Sequence, residues 1–153
     1  MTFCRLQVRY VGRVGVPVGI FVAVDHLRRA GRLNAADEST YFDLDDWFRE
    51  KLADPPFYDD GNSIGAVTWF KTVAAADMIA RLEPLRDILD RYDVRHDLVE
   101  STDPGQIIYE DDYQIGVVPY ERLAPTPLPS GMTLGPTTAG SKRHLAQNRS
   151  WLP

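Results

Sequence analysis

Residues Phe3 to Val11 read FCRLQVRYV. Cys4, Leu6, Val8 and Tyr10 fall on one parity and Arg5, Gln7 and Arg9 on the other, the period-two pattern of a strand with one buried and one polar face. Such a strand belongs to a sheet covered mainly on one side, so the segments that follow must supply the cover. Gly12 and Gly15 break the pattern. From about residue 17 to 30, Ile20, Val24 and Leu27 recur at helical spacing, with Phe21 and Ala23 beside them. Pro17 suits the first turn of that helix, Arg28 and Arg29 its last turn, and Gly31 a left-handed cap. A second helix is expected from about 35 to 52. Asn34 caps it, Asp37 and Glu38 sit at its positive end, and Tyr41, Leu44 and Phe48 form its apolar stripe. Asp43, Asp45, Asp46, Arg49 and Glu50 are assigned to its outer face. Trp47 and Phe48 are adjacent, so only one of them can point fully at the core. Asp54-Pro55-Pro56 stops this helix.

Ile64 to Lys71 (IGAVTWFK) reads as a strand, and Ala74 to Tyr92 as a helix kinked at Pro84. Arg95 to Glu100 is a short strand. After the Asp103-Pro104-Gly105 turn, Gln106–Glu110 and Tyr113–Val118 form a hairpin closed at Asp111-Asp112. The order β-α-α-β-α-β-β-β predicts an α+β domain: a small mixed sheet with three helices packed mainly on one face. Strand 64–71, helix 74–92 and strand 95–100 make a βαβ unit if the two strands are parallel. The domain is expected to span residues 1–122. Residues 123–153 hold five of the 11 prolines and three of the 11 glycines, and read as an irregular, flexible tail.

Charge and composition narrow the function classes. Residues 1–122 carry 14 basic and 22 acidic side chains, a net of −8, and the tail carries only Lys142, Arg143 and Arg149. An acidic body repels phosphate backbones, so nucleic acid is a disfavoured partner. The longest apolar stretch, Val14 to Val24, holds Pro17 and two glycines. It falls short of the roughly 18 residues of a membrane span, and too much chain precedes it for a secretory signal. The single cysteine, Cys4, allows no internal disulfide and no cysteine-rich zinc site, which fits a soluble cytoplasmic protein.

No nucleophile, phosphate-loop or metal motif stands out. His26, His96 and His144 have no metal-ligand spacing. The Asp59-Asp60-Gly61-Asn62 segment is explained by turn chemistry, and no metal or cofactor is expected. What remains is aromatic and acidic. Trp69 and Lys71 share one face of their strand, and the hairpin brings Glu110, Asp112, Tyr113 and Gln114. These residues, with His96, are the candidate contacts for a ligand or partner. The resulting expectation is a non-catalytic binding or protein-interaction module, its partner a protein or small molecule. The alternative is a small enzyme whose site assembles from His96, Glu110 and Lys71. Either could oligomerise through a free sheet edge.

Overall fold

The computed structural model describes residues 1–129 and 132. The fold is α+β, with strands β1 (Phe3–Val11), β2 (Pro17–Gly19), β3 (Val67–Lys71), β4 (His96–Ser101), β5 (Gln106–Glu110) and β6 (Gln114–Val118) in one sheet. Its helices are α1 (Ile20–Arg29), α2 (Ala35–Lys51) and a third that is broken into α3 (Ala76–Ala80) and α4 (Glu83–Arg91). Among the described residues no helix is long and apolar enough to cross a membrane.

β1 is the organising strand. One of its edges is taken by β4, antiparallel, from Phe3↔Ser101 to Val8↔His96. The other edge is shared. β3 pairs with its start (Phe3↔Lys71, Cys4↔Phe70), and β2 pairs with its far half (Gln7↔Gly19, Val11↔Pro17). β6 then joins β3, and β5 joins β6. Every pairing of neighbours is antiparallel. β3 and β4 do run in the same direction, but β1 lies between them, so the βαβ unit read in the sequence is split.

The core lies where the alternation of β1 places it. Cys4, Leu6, Val8 and Tyr10 pack with Phe21, Val24 and Leu27 of α1, Tyr41 and Phe48 of α2, and Leu85, Ile88 and Leu89 of α4. A second, smaller cluster of Phe3, Val67, Ile115 and Val117, with Val14, occupies the opposite face of the sheet. There it is joined by the partly buried Val16 and Trp69.

Several local readings are corrected. Pro17-Val18-Gly19 is not the first turn of a helix. Gly12 N–H donates to Val16 O and Gly15 N–H to Gly12 O, a tight turn that folds the chain back onto β1. The helix therefore starts three residues later. Gly15 adopts φ +81, and a Cβ there would lie 2.7 Å from Cβ of Arg122. The turn thus needs glycine for its backbone and for its neighbour. Pro84 does not kink one long helix. It sits in the first turn of α4, where its missing N–H is not needed, and the break falls at Arg81–Leu82. Asp45 is not on an outer face. Tyr41, Asp45, Phe48 and Leu52 form one i, i+4, i+7, i+11 stripe, and Asp45 is fully buried against Arg49 (2.8 Å). Phe48 takes the core position, and the partly buried Trp47 is stacked by Arg81, whose guanidinium carbon is 4.2 Å from the ring centroid. Asn34 caps α2 as its sequence implies, its side chain accepting from Asp37 N–H at 2.8 Å.

Residues just beyond Arg122 contact the body. Leu123 N–H donates to Gly15 O (2.7 Å), Thr126 N–H to Val11 O (3.1 Å), and Val11 N–H to the Thr126 hydroxyl (2.8 Å). Leu128 packs on the core and Met132 is buried within it. Proline makes this run poor helix or strand but does not prevent it from lying along an edge. The rest of the segment read as tail, 130–131 and 133–153, lies outside the described residues. Truncation after Arg122 removes these bonds and the buried Met132, a loss of about 3 kcal/mol. The melting temperature is expected to fall by roughly 6–12 °C. An unchanged melting temperature in a calorimetric scan would show that the segment contributes nothing.

Candidate functional site

Sharing one edge of β1 between two strands leaves a gap. No strand pairs with Arg5 or Leu6 on that edge, because β3 pairs only up to Cys4 and β2 only from Gln7. Gly19 ends β2 and caps α1, so the chain turns away at this point. The gap opens into a cleft lined by Arg5, Gly19, Tyr58, Thr68, Trp69 and Gln114, with Phe21, Phe70 and Leu82 as apolar wall. Its void, mouth included, is about 480 Å³, but only about 30 Å³ of it accepts the centre of a water molecule.

Arg5 is the unusual residue. It is 8% exposed, yet its described hydrogen bonds go only to neutral acceptors: Nη1 donates to Pro17 O (2.6 Å) and to Gln7 Oε1 (2.9 Å). Burial lowers its pKa to about 10, so it stays charged at neutral pH. Tyr58 interacts with Thr68 and, through charge, with Arg5. Burial raises the Tyr58 phenol to about 12, which leaves it a neutral donor. The indole Nε1 of Trp69 is buried without an acceptor. Gly19 offers α1 no side-chain cap, and no acidic residue occupies the first turn of that helix. The first amides of a helix have no intrahelical partner. The lining therefore holds one buried positive charge and several donors, and no carboxylate.

The residues singled out from the sequence divide into separate places. Lys71 and Glu110 meet, Nζ to Oε1 at 2.6 Å, with the lysine side chain 12% exposed. Trp69 lies on the same face of β3, against the second cluster. His96 does not join them. It sits on β4 opposite Val8, and its Nε2 is 2.8 Å from Asp90 of the α4 helix. Asp112 and Tyr113 are exposed at the hairpin tip. Gln114 is 2% exposed, and its Nε2 donates to Ala53 O (2.7 Å) and Asp111 Oδ2 (2.9 Å).

Asp111, read only as a turn residue, organises this tip. It also accepts from Tyr109 OH (2.7 Å), Tyr113 N–H (2.9 Å) and Gln114 N–H (3.0 Å). Partial burial pushes its pKa up, but these hydrogen bonds, led by that of the Gln114 side chain, together hold it below the usual carboxylate range. Among the described residues no three His, Cys, Asp or Glu side chains group as a metal would require. Arg5, Gly19, Tyr58 and Thr68 carried no sequence signal as a site. An arginine between Cys4 and Leu6 was no hint, because the exposed Arg9 between Val8 and Tyr10 has the same flanks.

A second and wider concavity, a groove of about 900 Å³ with its mouth included, runs between Tyr10, Val22, His26, Pro125, Thr126 and Leu128. Tyr10 OH lies 2.8 Å from His26 Nδ1. Burial lowers the His26 pKa to about 4. Comparison with protein-family models, curated proteins and solved structures gives no match to this chain.

Two predictions follow from these environments. In the unfolded chain His26 takes up a proton near pH 6.5, but in the folded chain only near pH 4. Across that window the unfolded state binds more protons, so stability rises with pH and is lost as the pH is lowered from about 6.5 to 4, by about 3 kcal/mol at most. Urea denaturation at pH 7, 5.5 and 4.5 is expected to show this slope and to show it flattened in His26→Gln. Equal slopes would mean that His26 is not held neutral. Trp69→Ala is expected to cost about 3 kcal/mol, because the ring packs on the second cluster. A cost under about 0.5 kcal/mol in denaturation would mark a surface residue instead.

Proposed function

We propose that this domain is a non-catalytic cytoplasmic binding module, and that its ligand presents an anionic group to Arg5 in the cleft between β2 and β3. The observation that carries this reading is the buried guanidinium with only neutral partners. A buried charge is costly unless it is paired. Elsewhere in the molecule the buried carboxylates have arginine partners: Asp25 with Arg28 and Arg29, Asp37 with Arg91, Asp45 with Arg49. At Arg5 the counter-charge is left to a ligand.

The enzyme alternative draws less support. His96, on β4, is engaged with Asp90 of α4, and Lys71 and Glu110 neutralise each other. A contact role for the Trp69–Lys71 face would also have to break that ion pair. The cytoplasmic setting rests on the acidic composition and the lone, buried Cys4.

Isothermal titration at constant ionic strength with formate, acetate, phosphate and sulfate, against a chloride background, tests the reading. Saturable binding of at least one anion is expected, with amide shifts at residues 19–22 in a parallel NMR titration. Arg5→Gln is expected to weaken it about tenfold or more, the value of a charged hydrogen bond. Tyr58→Phe, which keeps the ring, is a milder second variant. Absence of saturable binding by all four anions would refute the proposal.

A further inference from the structure

We infer that the group bound at Arg5 is a planar monocarboxylate on a short apolar stem, rather than a phosphate or sulfate. This rests on the anion reading above and makes it specific. The first argument is geometric. Nη1 of Arg5 is committed to Pro17 O and Gln7 Oε1, and no described hydrogen bond uses Nε or Nη2. Those two nitrogens form one edge of the guanidinium, a parallel fork whose spacing matches the two oxygens of a carboxylate.

The second argument is room. A cavity needs about 10–15 Å³ of space for water centres to hold one water. About 30 Å³ of such space is present here, so the interior takes a head group of about two oxygen-sized atoms and any stem behind it lies in the mouth. A carboxylate brings two oxygens and a tetrahedral oxyanion four.

The third is the wall. Leu6, Ile20, Phe21, Phe70 and Leu82 flank the cleft, so the stem behind the carboxylate meets apolar surface on its way to the mouth. The fourth is charge. Residues 1–122 carry a net of −8, a field that penalises a dianion more than a monoanion.

Gly19 completes the site. A Cβ at this position would stand 3.4 Å from Nη2 of Arg5, so glycine leaves the guanidinium edge uncovered. Its φ of −69 is one that any residue adopts, which makes Gly19→Ala a variant that folds while crowding the site.

The test compares formate, acetate, propionate and butyrate with phosphate, sulfate and the neutral isostere butyramide, by isothermal titration at fixed ionic strength. Affinity is expected to rise up to about fourfold per added methylene that the wall covers. Butyramide is expected not to bind. Gly19→Ala and Arg5→Gln are each expected to weaken butyrate about tenfold. A further arm, N-acetyl-leucine against its amide, distinguishes a free acid from a peptide C-terminus as the source: tighter binding of acetyl-leucine than of butyrate points to a chain end. Phosphate or sulfate binding as well as butyrate overturns the carboxylate inference and leaves the anion reading standing. No saturable binding of any anion overturns both. Butyrate binding that Gly19→Ala and Arg5→Gln both leave unchanged places the ligand elsewhere and overturns the site.

Discussion

The arrangement around one edge of β1 determines the rest of the molecule. A strand edge offers a row of backbone donors and acceptors that one partner strand normally satisfies. Here β3 satisfies the start of that row and β2 the far half, and the two leave in different directions. β3 carries the sheet onward to β6 and β5, while β2 ends at Gly19 and feeds α1 over the core face. The residues between them, Arg5 and Leu6, have no strand on that side. A sheet interrupted in this way must close the gap with side chains or leave it open. Arg5 does part of this work. Its Nη1 bond to Pro17 O ties β2 to β1 across the interruption, and the rest of the guanidinium is left facing the cleft. Structural strap and proposed ligand contact are therefore the same side chain in different atoms.

The same economy governs the buried charges. Asp25 accepts from Arg28 at 2.7 Å and Arg29 at 2.9 Å, one turn away on its own helix, and Asp37 of α2 is reached by Arg91 and by Tyr92 OH. Each such pair offsets a desolvation cost that neither partner could bear alone. The Asp37 contacts also tie the start of α2 to the end of α4. Arg122 shows the neutral version of the device. It donates to Val14 O, Gly65 O and Ile64 O, gathering two glycine-containing turns. Against that background Arg5 differs in kind: it is as buried as the paired carboxylates, and, like Arg122, bonded only to neutral oxygens.

Much of the architecture was legible in the sequence because it is written in periodicity. The alternation of Phe3–Val11, the stripe of α1 and the Asn34 cap each rest on local physics that the fold obeys. The readings that failed were those in which a local rule had two outcomes. Pro17 fits a helix start as well as a short strand, and only the turn at Gly12–Gly15 selects the strand. Asp45 fits a polar face as well as a buried ion pair, and the pairing with Arg49 one turn on offsets the cost of its burial. The split of the βαβ unit had no sequence signal at all, because inserting β1 between β3 and β4 depends on pairings more than sixty residues apart.

The candidate site was hidden for a related reason. Period-two alternation sorts Arg5, Gln7 and Arg9 onto one face and invites the reading that this face is wet. Arg9 meets it, pairing in the open with Asp97 at 3.2 Å. Arg5, two residues earlier, does not, because the cover over it comes from segments with no periodic pattern: the end of β2 at Gly19 and the turn bearing Tyr58. Alternation reports which way a side chain leaves the sheet and is silent about what irregular chain lies there. Trp69 and Lys71 make the converse case. Their shared face was read correctly from parity, but the second apolar cluster and Glu110 engage that face, so a residue set chosen for exposure is largely occupied by the protein itself. An unfilled site in this fold is better sought where a charge is buried without its complement than where aromatics share a strand face.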